Sequence, residues 1–110
     1  MMPSLRQSYR HAEHTTAAWA KSFHFASRFL PRAKRRAVFA LYDCCRQADN
    51  LVDLRGSRPA DAVRADLAAL GRTVRALHAG DPAPERWLAL GDTLGRYDVP
   101  LEPHLALLDG

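Results

Sequence analysis

Apolar residues recur with a helical period along almost the whole chain. Between positions 63 and 77, the residues Val63, Leu67, Leu70, Val74 and Leu77 are spaced by four, three, four and three, which predicts one amphipathic helix. We find no run with the strict alternation of a half-buried strand. The pattern therefore predicts an all-α fold.

Proline and glycine divide this pattern into separate helices. Ser4 is a candidate N-cap for a first helix over 5–20, and a short helix over 22–29 follows. Pro31 opens a long helix over 31–54, because its missing N–H and fixed φ are tolerated in a first turn. The other predicted helices cover 59–79, 85–96 and 103–108, with a turn at 80–84.

The composition is that of a globular domain, with 47% hydrophobic, 25% charged and 8% aromatic residues. It excludes collagen, low-complexity disorder and disulfide-stapled peptides. The longest apolar run, 37–42, is far shorter than the roughly 20 residues that cross a bilayer, and residues 1–14 lack the apolar core of a secretory signal. We expect a cytoplasmic protein, with peripheral contact to the inner face of the membrane as the alternative.

The formal net charge is +4, and Arg supplies fourteen of the sixteen cations. A basic group surrounds the start of the long helix: Arg28, Arg32, Lys34, Arg35 and Arg36. A solvated face is the first interpretation, and contact with phosphates or a lipid surface is the second. No nucleic-acid recognition motif accompanies this charge, so we expect no nucleic-acid partner.

Three further groups are assigned to the interior or to the surface. Cys44 and Cys45 are adjacent and point to different faces of a helix, so we expect buried, reduced thiols. His11, Glu13 and His14 have too few ligands for a metal site and are interpreted as surface residues. The aromatic residues expected in the core are Trp19, Phe25, Phe29, Phe39 and Trp87.

One polar stripe lies on the long helix. Tyr42, Arg46, Asp49 and Asp53 are four, three and four residues apart, so they share a face. Mg²⁺ binds through one or two protein carboxylates together with substrate phosphates, so the Asp49/Asp53 pair suits a magnesium-bound diphosphate. A solvated face, with Arg46 as an ion-pair partner, explains the same spacing.

A longer run separates these alternatives. Residues 21–53 read KSFHFASRFLPRAKRRAVFALYDCCRQADNLVD, and this run closely resembles the squalene/phytoene synthase family of head-to-head prenyl diphosphate synthases. The matching positions are Lys21, Ser22, Phe23, Ser27, Arg28, Leu30, Pro31, Arg35, Arg36, Ala37, Leu41, Tyr42, Cys45, Arg46, Asp49, Val52 and Asp53. A weaker match continues to residue 110.

The resemblance implies an isoprenoid-synthase (terpenoid synthase) fold, whose helices surround a deep apolar cavity. Family members hold Mg²⁺ with two aspartate-rich motifs. By residue match, Asp49 and Asp53 would form the first motif and bind Mg²⁺, or Mn²⁺ in its place, and would act in catalysis together with Arg46. The positions that match the diphosphate site are Lys21, Ser22, Tyr42 and Arg46, and Phe23 matches the prenyl channel.

The implied activity is a Mg²⁺-dependent prenyltransferase of the phytoene synthase type, acting on geranylgeranyl or farnesyl diphosphate in carotenoid or isoprenoid biosynthesis. Squalene, presqualene diphosphate or dehydrosqualene synthesis is the alternative within the family. A non-catalytic helical interaction module that keeps the motif as a relic is the alternative outside it. The second aspartate-rich motif lies downstream in the family, so we expect residues 1–110 to be the N-terminal portion of one domain, inactive by itself.

Three positions depart from the family pattern. Trp19 stands where many members have His, which affects one contact to the diphosphate. Asn50 stands where Asp or Glu is frequent, which removes a charge but leaves the two spaced aspartates intact. Asp43 replaces a usually small residue, and it is assigned no role because it points away from the Asp49/Asp53 stripe.

Overall fold

The computed structural model describes residues 4–108, and the regular secondary structure in this range is helical, with no strand. The six α-helices are α1 (Leu5–Trp19), α2 (Lys21–Ser27), α3 (Arg32–Asp53), α4 (Ala60–His78), α5 (Leu88–Arg96) and α6 (Leu101–Leu108), and a 3₁₀ turn (Glu85–Trp87) precedes α5. The predicted all-α class is confirmed. Within residues 4–108, no helix is both long and apolar enough to cross a membrane.

The helix starts follow local signals in the sequence. Ser4 caps α1 by a reciprocal arrangement, in which its Oγ accepts the Gln7 N–H at 3.1 Å and the Gln7 Oε1 accepts the Ser4 N–H at 2.7 Å. Pro31 has an extended ψ of 147° and is the N-cap of α3, so the helix begins one residue later than predicted. The Pro31 carbonyl accepts the Arg35 N–H at 2.9 Å.

The end of α4 depends on a glycine. Gly80 adopts φ of +92°, a left-handed conformation that glycine reaches without strain. Its N–H bonds to the Leu77 carbonyl at 3.1 Å, and the Asp81 N–H bonds to the Ala76 carbonyl at 3.0 Å. This double closure satisfies the last carbonyls of α4 and produces the predicted turn before α5. The last helix begins two residues earlier than predicted, at Leu101.

The core lies around α3, which packs against α1, α4, α5 and α6. The predicted α4 stripe is confirmed, because Val63, Leu70, Val74 and Leu77 are buried. The main buried cluster is formed by Cys44, Ala48, Leu70, Val74, Leu77, Leu90 and Leu108. This packing fixes the rotation of α3 about its own axis and so determines which of its faces is left open.

Asp43 has a structural role that the sequence did not reveal. Its carboxylate is buried and accepts two hydrogen bonds from Arg86, at 2.7 and 3.0 Å. The Arg86 guanidinium also stacks on the Trp87 ring, 4.1 Å from its centroid. The ion pair therefore joins the middle of α3 to the 3₁₀ turn.

The expectation of an aromatic core is only partly correct. Phe39 is buried and Trp87 half-buried, but Trp19, Phe25 and Phe29 are 49%, 60% and 80% exposed. Trp19 lies at the α1–α2 junction, Phe25 on α2 and Phe29 in the α2–α3 turn. The thiol expectation is confirmed for Cys44, which is buried, and Cys45 is half-buried; both are free.

Candidate functional site

The polar stripe predicted on α3 forms around Arg46. Its Nη2 donates to Asp53 Oδ2 at 2.9 Å, and its Nε donates to Asn50 Oδ1 at 2.9 Å. Its Nη1 lies 3.9 Å from Asp49 Oδ2. Arg46, Asp49 and Asp53, called the acidic stripe below, therefore form one connected group on a single face, with Arg46 balancing part of the carboxylate charge.

Two aromatic contacts bring the α1–α2 junction against this part of α3. The Arg46 guanidinium lies 4.7 Å from the centroid of the Trp19 ring, an electrostatically favourable stack. The rings of Phe23 and Tyr42 are 6.0 Å apart at an interplanar angle of 36°. Phe23 was assigned by the resemblance to the prenyl channel, and Tyr42 and Arg46 to the diphosphate site. The structure thus makes the three residues neighbours on one surface.

The two carboxylates of the acidic stripe are open to solvent. The side chains of Asp49 and Asp53 are 53% and 63% exposed, whereas that of Arg46 is 16% exposed. In the part of the chain that the structure describes, no group of three His, Cys, Asp or Glu side chains could hold a metal ion. Two hard oxygen donors fit Mg²⁺ when water and phosphate oxygens complete its octahedral shell.

Lys21 and Ser22 lie at the start of α2 and are both exposed. Lys21 lines a depression of about 420 Å³ together with Glu13, His24 and Arg28. Between residues 4 and 108, neither Lys21 nor Ser22 makes a hydrogen bond to the acidic stripe. The contacts that link α2 to this surface therefore run through Phe23.

An apolar slot of about 280 Å³ lies on the neighbouring face of α3. The residues that line it are Leu30, Lys34, Ala37, Val38, Leu41, Thr93, Tyr97 and Val99. Val38 and Asp49 are eleven residues apart, about three helical turns and roughly 16 Å along the axis, so they project from nearly the same side. Sequence reasoning missed the slot because one wall comes from α5 and the segment after it.

Two histidines that are 26 residues apart in the sequence form a pair. His78 Nε2 and His104 Nδ1 are 2.9 Å apart and join α4 to α6. His104 is buried, and its Nε2 has no hydrogen-bond partner among the residues that the structure describes. Burial lowers the pKa of both rings, and the proximity of His78 lowers that of His104 further. Glu13, part of the rejected metal candidate, pairs instead with His24 at 3.0 Å.

Comparison with known proteins identifies relatives over nearly the whole chain. It is 37% identical over 109 residues to the 15-cis-phytoene synthase of Synechococcus elongatus, and the aligned region covers 99% of the chain and 35% of that protein. It is 33% identical over 107 residues to the 15-cis-phytoene synthase of Synechocystis sp., and the aligned region covers 97% of the chain and 31% of that protein. It is 33% identical over 96 residues to the presqualene diphosphate synthase of Zymomonas mobilis, and the aligned region covers 86% of the chain and 32% of that protein.

The chain spans about a third of the length of these relatives. The family described as squalene/phytoene synthase matches residues 16–110, a range that includes the acidic stripe, its aromatic neighbours and the apolar slot. The helical architecture agrees with the isoprenoid-synthase fold of that family. The chain belongs to the squalene/phytoene synthase family.

Proposed function

We propose that the chain carries the first Mg²⁺–diphosphate site of a head-to-head prenyltransferase of the phytoene synthase type. The observation that carries the proposal is the juxtaposition of the acidic stripe with the apolar slot on neighbouring faces of α3. A prenyl diphosphate has the same division into a charged head and an apolar tail.

The head of the substrate would lie at the acidic stripe. Asp49 and Asp53 would hold Mg²⁺, or Mn²⁺ in its place, and the bound ion would neutralise the departing diphosphate. Arg46 has N–H groups suited to bidentate contact with phosphate oxygens, and Tyr42 adds a hydroxyl on the same face. Lys21 and Ser22 would reach the diphosphate from the start of α2.

The tail would follow α3 toward its N-terminus. Phe23 lies beside Tyr42, at the point where the polar surface gives way to apolar side chains. From Asp49 to Val38 the path is about 16 Å by helix geometry, comparable with an extended prenyl chain. An apolar wall keeps water from the allylic cation that remains when diphosphate leaves.

The substrate and product are part of the proposal. The phytoene synthases among the relatives, at 33–37% identity, support condensation of geranylgeranyl diphosphate in carotenoid biosynthesis. The presqualene diphosphate synthase at 33% identity supports a second candidate, which would use farnesyl diphosphate. Free cysteines support a cytoplasmic location.

We also propose that residues 1–110 are the N-terminal portion of one isoprenoid-synthase domain and are inactive alone. One acidic stripe cannot by itself enclose a diphosphate with its metal ions, and the apolar slot is open along one side. The match to only about a third of each relative supports this arrangement.

The test is the double variant Asp49→Asn/Asp53→Asn in the full gene product. We expect loss of prenyl diphosphate condensation and loss of Mg²⁺-dependent diphosphate binding by calorimetry, while the helical circular dichroism signal is retained. The matched control is Asp61→Asn/Asp81→Asn, which removes two exposed carboxylates outside the stripe. Equal behaviour of the two variants would favour the interaction module with a relic motif.

A further inference from the structure

A basic groove of about 670 Å³ lies between α1 and the N-terminal half of α3. Five arginines line it: Arg6, Arg10, Arg32, Arg35 and Arg36. Across residues 4–108, none of the five has a carboxylate within 4.0 Å. The carboxylate that does line the groove, Glu13, is bonded to His24 at 3.0 Å.

The groove is partly preorganised. The Arg36 guanidinium stacks on the Tyr9 ring, 4.0 Å from its centroid. Tyr9 is itself fixed by hydrogen bonds to Asp92 at 2.6 Å and to Thr93 at 3.1 Å. Arg32 is the first residue of α3. No side chain within residues 4–108 caps the N-terminus of this helix, which therefore adds free N–H groups and a partial positive charge. An anion in the groove would relieve this concentration of positive charge.

Two exposed phenylalanines precede α3, the helix whose first turns line the groove. Phe25, on α2, is 60% exposed, and Phe29, in the α2–α3 turn, is 80% exposed. The depression that Phe25 lines shares Arg35 with the groove, so the two are continuous. The Arg28 guanidinium lies 4.8 Å from the centroid of the Phe25 ring. The surface thus combines a five-arginine groove with an apolar tip.

We propose that this basic–aromatic surface, formed by the groove with Phe25 and Phe29, docks on an anionic phospholipid bilayer. Lipid phosphates would occupy the groove, because guanidinium groups match phosphate geometry. The two phenylalanine rings would enter the boundary between headgroups and acyl chains, as in other interfacial anchors. Basic side chains near an anionic leaflet strengthen such contacts.

Other occupants fit the surface less well. A second copy of the chain in a two-fold contact would bring one basic groove against another. A single-stranded nucleic acid requires aromatic faces on which bases stack inside the basic track. The aromatic rings that line the groove, Tyr9 and Phe39, are only 7% and 3% exposed, so their faces are not available.

The inference is independent of the proposed catalytic function. Arg32 and Asp49 are seventeen residues apart on α3, about 25 Å along the axis, and the two surfaces share no residue. The Asp49→Asn/Asp53→Asn variant is therefore expected to keep its bilayer binding, and a groove variant is expected to keep its acidic stripe.

The experiment is vesicle co-sedimentation of the chain, and of the full gene product where the gene encodes more. We expect binding to vesicles of phosphatidylcholine with phosphatidylglycerol, little binding to phosphatidylcholine alone, and loss of binding at high salt. Arg10→Gln/Arg32→Gln is expected to weaken binding at least about tenfold, and Phe29→Ser to weaken it severalfold. The control Arg72→Gln/Arg75→Gln removes the same charge from α4 and is expected to bind as the unsubstituted chain does.

Several results would overturn the proposal. Equal losses in the groove variant and the α4 control would mean that net charge alone governs binding. Undiminished binding of Phe29→Ser together with complete displacement by inorganic diphosphate would assign the groove to free phosphates. Tighter binding to single-stranded DNA than to anionic vesicles would assign it to nucleic acid, and absence of binding by a full gene product would mean that another segment covers the surface.

Discussion

The indole of Trp19 and the guanidinium of Arg46 face each other across the junction of α1 and α3, with 4.7 Å from Cζ to the ring centroid. Arg46 also reaches Asp53 and Asn50 at 2.9 Å. Its side chain is therefore held from one side by an aromatic face and from the other by polar groups of its own helix. The residue that departs from the family pattern orients the cation of the acidic stripe.

Removal of this aromatic face is expected to weaken the site without unfolding the chain. In a full gene product with prenyltransferase activity, Trp19→Ala is expected to lower kcat/KM about two- to fivefold, the equivalent of a partly exposed cation–π contact of about 0.5–1 kcal/mol. Trp19→Phe keeps a ring under Arg46 and is expected to retain most activity. Equal losses in both variants would show that the ring does not act through Arg46.

The sequence was sufficient for features that depend on local spacing. The three- and four-residue intervals from Tyr42 to Asp53 predicted a shared face, and the Ser4 cap and the α4 stripe followed from similarly local signals. The resemblance assigned Tyr42 to the diphosphate site and Phe23 to the prenyl channel, and in the structure the centroids of their rings are 6.0 Å apart.

Features that depend on distant partners could not be predicted. Asp43 looked unused because Arg86 is 43 residues away. Phe29 was expected in the core because it is a large apolar residue. Residue type alone does not show that it lies in an exposed turn. The pairing of His78 with His104 required α4 and α6 to be placed side by side, which a single sequence does not specify.

The buried Asp43–Arg86 pair is expected to respond unequally to loss of its two partners. The Asp43 side chain is 6% exposed and that of Arg86 is 37% exposed, so a stranded carboxylate cannot be rehydrated as a stranded guanidinium can. Arg86→Met, which keeps an apolar stem near Trp87, is expected to lower the free energy of unfolding by about 3–5 kcal/mol. Asp43→Asn is expected to lower the free energy of unfolding by less than Arg86→Met does. Urea denaturation of both variants measures the difference, and a larger loss in Asp43→Asn would contradict the argument.

The His78–His104 pair predicts acid sensitivity near neutral pH. Burial lowers both pKa values below 6.5, so in the unfolded chain the rings take up protons at a higher pH than in the fold. The free energy of unfolding is therefore expected to fall as pH decreases through 6.5 toward the lower folded values, and this pair adds no slope above 6.5. His104→Leu should flatten that slope in pH-dependent urea denaturation. His14→Gln, at an exposed position, should leave it unchanged, and an unaltered slope in His104→Leu would exclude the pair as its source.

Tyr9 predicts that the free energy of unfolding falls as pH rises in the alkaline range. Burial, with the hydrogen bond to Asp92, raises its pKa from 10.0 to about 12. The unfolded chain therefore loses this proton first, so the stabilisation is complete below pH 10 and is lost as pH rises toward 12. Ultraviolet titration should detect a tyrosine that ionises near pH 12, and Tyr9→Phe should abolish this transition while Tyr97→Phe preserves it. Asp92 keeps its bond to Arg96 at 2.9 Å. Tyr9→Phe is therefore expected to lower the free energy of unfolding by about 1.5–3 kcal/mol and to leave the chain folded.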